Sequence, residues 1–230
     1  MGSLTPPIHA LYVRLSGELE RLHAEVYGLV WNRHVFWKVQ EIIRVNKNLR
    51  GKPMTFNKWM AYMYCGAMAG AIRRLIDRRK DSISFVRLLN EVKKNPSCFS
   101  REQYKIRFSN PQLPKGYLDR DYDRLIGKGR HQPDRAKIEG EIAELTRLTE
   151  LLKEYVDERV AHAARNQNVK LPTFQHLDDA IDYLDQLVAR YLHLFRGSAM
   201  RSVLPTELYD WTEIFRYAWI EETEDNTVTD

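Results

Sequence analysis

"DRAKIEGEIAELTRLTELLKEYV", residues 134–156, and "TFQHLDDAIDYLDQLVARYLHLFRG", residues 173–197, decide the fold class. In both stretches apolar side chains recur every three or four positions, which is the spacing of one face of an α-helix. We predict one helix from Asp134 to about Ala164 and a second that Thr173 caps and Gly197 ends. Two long helices joined by a short polar loop predict an antiparallel hairpin, with the residues around 162 near one end of a bundle.

Helical spacing continues outward from this hairpin, and strict alternation over the length of a strand is hard to find. The fold class is therefore predicted as all-α. Residues 11–43 fit one long helix or two nearly continuous ones. A second helix is predicted from about Phe56 to Arg79, with Trp59 and Met63 on its apolar side, and a third over residues 84–94.

Composition indicates a folded, globular chain. Of its 230 residues, 43% are hydrophobic and 29% are charged, close to globular averages. We predict a single helical domain over residues 1–220, followed by an acidic, disordered tail at 221–230. Cys65 and Cys98 match no metal or redox spacing, which predicts reduced thiols. No leader sequence and no apolar stretch of membrane-spanning length is found, so we expect a cytoplasmic protein without a membrane partner.

The segment 96–133 is predicted to be a basic, loop-rich insertion between the helices of the bundle. Between residues 93 and 137, twelve Lys or Arg face five acids, and aromatic residues at 104, 108, 117 and 122 are interleaved with them. Basic side chains and aromatic rings together suit the binding of single-stranded nucleic acid. The RNA-binding candidates in this segment are Arg124, Lys128 and Arg130. The alternative is a solvated insertion whose tyrosines pack locally.

A second basic cluster lies in "AIRRLIDRRK", residues 71–80. Arg73, Arg74, Arg78 and Arg79 would lie together at a helix end, where they could bind RNA. A solvated last helical turn is the alternative, because cations are favourable near the negative end of the helix dipole.

The candidate catalytic cluster lies in "EYVDERVAHAARN", residues 154–166. On a helix, Glu158, Arg159, His162, Arg165 and Asn166 would surround one patch. Imidazole transfers protons near neutral pH, and guanidinium groups stabilise charge on phosphate oxygens, so the patch suits chemistry on a phosphodiester. The alternative is a non-catalytic helix end in which His and Arg interact with the last carbonyls. No metal-ligand set and no phosphate-binding loop is found, so no metal or cofactor is expected.

The stretch "YVDERVAHAARN", followed by "LPTFQHLDDAIDYLDQLVARYLHLF", resembles the end of the HEPN domain in the abortive-infection AbiU-like branch. There a Tyr-Arg-Asp-Lys-x-x-Ala-His block precedes a Pro-Thr-Phe helix. "FNKWMAYMYCGAMAGAIRRLIDRRKDSISFVRLLNEV" is similar to the second and third helices of that branch. The likeness spans most of residues 10–196.

This resemblance implies a HEPN-type antiparallel bundle, usually a homodimer, and in many members a metal-independent endoribonuclease of phage-defence or toxin–antitoxin systems. His162 matches the histidine of the family signature, whereas Val156 stands where the block carries its arginine. The implied substrate is RNA, either tRNA or single-stranded RNA, because the ribose 2′-hydroxyl would attack the adjacent phosphate. The alternative is a non-catalytic HEPN subunit that binds RNA, a protein antitoxin or another defence partner.

Overall fold

The computed structural model describes residues 6–160 and 170–217, and within these ranges every regular element is helical. The all-α prediction is therefore confirmed. The α-helices are α1 (Pro6–Val45), α2 (Thr55–Leu75), α3 (Phe85–Lys94), α4 (Arg101–Phe108), α5 (Tyr117–Ile126), α6 (Arg135–Tyr155) and α7 (Phe174–Arg196). Short 3-10 helices lie at Lys47–Leu49, Pro96–Phe99 and Trp211–Arg216, and a π-helical turn lies at Val156–Val160.

Helix α7 lies at the centre of the fold, between α1, α2 and α6. Its apolar residues from Leu177 to Leu194 are almost completely buried, as their spacing predicts. α1 runs antiparallel to α7. Arg33, in the second half of α1, contacts Asp182 at 2.6 Å, and the Tyr12 hydroxyl near its start donates to the carbonyl of Phe195.

The predicted antiparallel pairing of α6 and α7 is confirmed by a buried carboxylate. Glu141, near the start of α6, accepts a 2.7 Å hydrogen bond from the Tyr191 hydroxyl and pairs with Arg190, both near the end of α7. Asp134 caps α6 by accepting from the backbone N–H of Ala136 at 2.9 Å. α6 ends at Tyr155 in the π-helical turn, and its predicted continuation to residue 164 runs into residues outside the described ranges.

α2 differs from its prediction in length and in orientation. It ends at Leu75, four residues before Arg79. Trp59 and Met63 were predicted to face the core, but they are 56% and 51% exposed. The buried side chains all lie in the second half of the helix: Met68, Ala69, Ile72 and Leu75. Apolar residues occur on both sides of α2, so helical spacing alone does not distinguish the core face from the exposed one.

The prediction of a loop-rich segment at 96–133 is wrong, because this segment contains α4 and α5. Tyr104 and Tyr122 are buried between these helices, as in the alternative of local packing. The Tyr104 hydroxyl donates to Asp121 at 2.6 Å, and His193 of α7 contacts the same carboxylate oxygen at 2.9 Å. A buried polar network thus attaches α4 and α5 to the bundle.

Among the described helices, none combines the length and the apolar character needed to cross a membrane. Cys65 and Cys98 are both free thiols, as predicted, and burial raises the pKa of each.

The first prediction concerns the carboxylate between α6 and α7. Glu141→Ala should lower the free energy of unfolding by about 2–3 kcal/mol, because it leaves the Tyr191 hydroxyl and the Arg190 guanidinium without their acceptor. Urea denaturation monitored by circular dichroism measures the change. Glu144→Ala is the matched control, because Glu144 pairs with Arg147 on the exposed side of the same helix and should change stability little. Equal effects of the two variants would contradict a stabilising role of the buried carboxylate.

Candidate functional site

An open cleft of about 580 Å³ lies between the end of α2 and the second half of α6. Its wall includes the basic residues Arg73, Arg78, Arg79 and Lys153 and the acidic residues Asp77, Glu150 and Glu154. The chain leaves α2 at Ile76 and continues antiparallel along α6. Arg73 therefore lies beside Asp157, and Arg78 lies beside Thr146.

Arg73 connects the arginine cluster at residues 71–80 with the candidate catalytic stretch at residues 154–166, which were predicted as separate features. Its Nε donates to Asp157 Oδ1 at 2.9 Å, and its guanidinium also lies 3.8 Å from Asp77. Lys153 approaches the other oxygen of Asp157 at 2.7 Å. Asp157 belongs to the quoted block at 154–166, so the arginine cluster of α2 meets the beginning of the candidate catalytic stretch.

The two carboxylates beside Arg73 are ionised at neutral pH. Burial raises the pKa of Asp77, but hydrogen bonds and ion pairs from Arg79, together with the charge of Arg73, lower it below the ordinary value of 3.8. Burial also raises the pKa of Asp157, and the bonds from Lys153 and Arg73 again lower it below 3.8. Both carboxylates therefore hold the Arg73 guanidinium in a defined position.

The four arginines of the 71–80 cluster have different partners. Arg79 bonds to Asp77 through its backbone N–H and its Nε, and Arg74 turns away from the cleft to pair with Glu25 of α1 at 3.1 Å. Arg78 donates to the Thr146 hydroxyl at 3.1 Å and, within the described residues, forms no ion pair. Arg78 is therefore the cation of the cleft most available to an anionic ligand.

The predicted catalytic patch is described only at its beginning. Glu158 is half-buried, and the backbone of Arg159 lies in the π-helical turn. His162, Arg165 and Asn166 lie outside the described residues. Val156, at the position of the family arginine, is 8% exposed and belongs to the hydrophobic core. Its side chain is therefore part of the packing and not of the cleft wall.

The remaining RNA-binding candidates lie at the other end of α6. Arg130 pairs at 2.8 Å with Asp134, the N-cap of α6, and Arg124 and Lys128 are close to it in sequence. The 21 residues of α6 span about 30 Å, so this group does not share a site with Arg73. Three of the Lys and Arg residues of the 96–133 segment are already paired within the described ranges: Arg101 with Asp123, Lys105 with Asp119 and Arg130 with Asp134.

Several wall residues of the cleft were not predicted from the sequence, among them Lys153 and Thr146. The spacing of Lys153 and Asp157 is that of an i, i+4 ion pair and was a usable signal. The contact of Thr146 with Arg78 depends on the packing of α6 against the chain after α2, so no local pattern indicated it. No group of three or more His, Cys, Asp or Glu within metal-binding distance occurs in residues 6–160 and 170–217.

The second prediction concerns the pH dependence of Asp77. Asp77→Asn should lower the free energy of unfolding at pH 7 by about 1 kcal/mol, because a charge-assisted hydrogen bond is replaced by a neutral one. The pKa of Asp77 is lowered by folding, so its contribution is present above pH 3.8 and is lost as the pH falls further.

Urea denaturation at several pH values between 2 and 7 measures this difference. Asp81→Asn, at an exposed position of the same segment, is the control and should have little effect at any pH. A difference between wild type and Asp77→Asn that persists unchanged at pH 2 would contradict the assignment.

No family model, no curated protein and no solved structure matches this chain.

Proposed function

We propose that the protein is a HEPN-like, metal-independent endoribonuclease of a phage-defence or toxin–antitoxin system. The observation that carries the proposal is the cleft, which is lined by Arg73 and Arg78 and in which Arg73 bonds to Asp157, a residue of the block that contains His162. A cleft lined by guanidinium groups suits a phosphodiester substrate, and in the sequence His162 follows five positions after Asp157.

The reaction would proceed by attack of the ribose 2′-hydroxyl on the adjacent phosphate. His162 would accept the proton of this hydroxyl, and its oxygen would form a bond to phosphorus while the bond from phosphorus to the 5′-oxygen breaks. The departing 5′-oxygen would take up a proton from solvent water. The fragments would then end in a cyclic phosphate and a free 5′-hydroxyl.

Val156 raises the question of which cation replaces the arginine of the family block. Within the block, Arg159 and Arg165 are candidates, with Glu158 and Asn166 as neighbours that would orient the imidazole or the phosphate. From outside the block, Arg73 brings a guanidinium group to its beginning. We propose that Arg78, farther along the cleft, contacts another phosphate of the bound strand, because it forms no ion pair among the described residues.

The third prediction is tested with a mixed pool of tRNA and single-stranded RNA in EDTA. Wild type should produce fragments with cyclic-phosphate ends, and His162→Ala should reduce their rate by about 100-fold or more, the usual contribution of general acid–base catalysis. Arg78→Ala should reduce the rate by about 10-fold, because one phosphate contact of the bound strand is lost.

His9→Ala and Arg147→Ala are the matched controls, because both side chains are exposed and lie outside the cleft. They should retain the wild-type rate. Cleavage that survives His162→Ala would remove this residue from the mechanism.

The alternative is a non-catalytic HEPN subunit that binds RNA or a protein partner. The buried position of Val156 favours it, because the core has no place there for the guanidinium of the family signature. Such a subunit should bind the RNA pool with an affinity that falls steeply between 50 and 200 mM salt, and it should yield no cleavage products. Fluorescence anisotropy at several salt concentrations, with end-group analysis of the same samples, distinguishes the two functions.

We also propose a cytoplasmic homodimer, with an antitoxin or another defence protein as a further partner, on the resemblance alone. Light scattering of the purified protein measures its mass in solution. A monomer at micromolar concentration would remove the composite, two-subunit site from the proposal.

A further inference from the structure

An exposed aromatic surface lies at the end of the molecule where α1 leads into α2, residues 44–63, here called the tip. Phe56, Trp59 and Tyr62 of α2 are 64%, 56% and 70% exposed. These residues follow one another at intervals of three, so their side chains are neighbours along the helix surface. The rings of Phe56 and Trp59 lie 5.7 Å apart, and both are accessible from solvent.

The tip is also uniformly basic. From residue 42 to residue 76 the sequence contains no Asp or Glu. Five basic residues lie within the tip and are all exposed: Arg44, Lys47, Arg50, Lys52 and Lys58. None of them forms an ion pair with another residue of the described ranges, in contrast to Arg101 or Lys105 in the 96–133 segment. As far as residues 6–160 and 170–217 are concerned, the positive charge of the tip is therefore unneutralised and available to an anionic partner.

The backbone of the tip is well defined by local bonds. Asn46 caps the 3-10 helix by accepting from the backbone N–H of Asn48 at 2.9 Å. Gln40 of α1 donates to Asn57 of α2 at 2.8 Å and joins the two helices. Gly51 takes the left-handed conformation, with φ of +74°, in the turn between them. The basic side chains and aromatic rings are thus attached to an ordered backbone, which reduces the conformational entropy lost on binding.

We propose that the tip binds single-stranded RNA. Its aromatic rings would stack on nucleobases, and its Lys and Arg side chains would contact phosphates. Stacking on exposed rings beside a basic track is the usual way in which proteins bind single strands without sequence preference. Lys58 lies one helical turn from Tyr62, so a cation lies beside one of the rings. A surface that mixes aromatic and cationic side chains suits the nucleobases and phosphates of RNA. A lipid bilayer instead needs an apolar face with charges only at its border.

The tip and the cleft lie at opposite ends of the same helix. Trp59 and Arg73 are separated by fourteen positions of α2, or about 21 Å. A strand held at the tip could therefore extend along α2 towards the cleft. The inference rests on RNA as the partner proposed above, but it requires neither cleavage nor an intact cleft.

The test measures binding of a fluorescently labelled 15-nucleotide oligouridine by anisotropy, in the His162→Ala background. Phe56→Ala with Trp59→Ala should weaken binding by about 10-fold or more, because two stacking surfaces are lost. Arg50→Glu with Lys52→Glu should weaken it as much and should reduce its salt dependence.

Two control pairs match these changes in kind. Leu208→Ala with Tyr209→Ala removes two exposed apolar side chains outside the tip. Lys115→Glu with Lys137→Glu makes the same change of net charge at exposed positions within and just after the 96–133 segment. Both controls should keep the reference affinity. Circular dichroism checks that each variant is folded, as expected for substitutions at exposed positions.

Three outcomes would overturn the proposal. The first is unchanged oligouridine affinity in both tip variants. The second is binding to phosphatidylserine-containing vesicles that needs the tip while oligouridine binding does not, which would assign the surface to a membrane. The third is a tip-dependent change of mass in light scattering with unchanged RNA affinity, which would assign it to a second copy of the chain. Tip-dependent binding without cleavage by wild type would leave this proposal standing and contradict the ribonuclease.

Discussion

The burial of α7 is the constraint on which the rest of the structure depends. Twelve of its side chains are buried, so α1, α2 and α6 must each cover part of its surface. A helix covered on several sides gains most of its stability from packing and not from its own propensity. Polar contacts then set the register of the neighbours, such as Glu141 of α6 on Tyr191 and Asp121 of α5 on His193.

The cleft follows from this arrangement. Because α2 packs on α7 through its second half and ends at Leu75, the next residues lie against α6. Asp77 holds this turn together: its carboxylate accepts from Arg79, and its carbonyl accepts from the Ser84 hydroxyl at the N-cap of α3. The guanidinium groups of Arg73 and Arg78 are placed along α6 as a consequence.

Basic residues serve two different purposes in this fold. In the 96–133 segment, basic residues such as Arg101 and Lys105 hold α4 and α5 together, and Tyr104 and Tyr122 are buried. At the tip, bases remain unpaired within the described ranges, and the rings are exposed. Both regions combine basic and aromatic residues, but the tip exposes all three of its rings, whereas Tyr104 and Tyr122 of the 96–133 segment lie inside the fold.

The sequence by itself determined the helical class, the caps of α7 and the buried face of α7, because these depend on local spacing and on residues next to one another in the chain. It also indicated the arginine cluster and the block around His162 as separate features. Only the tertiary structure decided that Arg73 meets Asp157, that Trp59 faces outward and that Tyr104 and Tyr122 are buried. The physical reason is that these outcomes depend on which helices cover one another. That choice is made by contacts between residues far apart in sequence, which no local pattern contains.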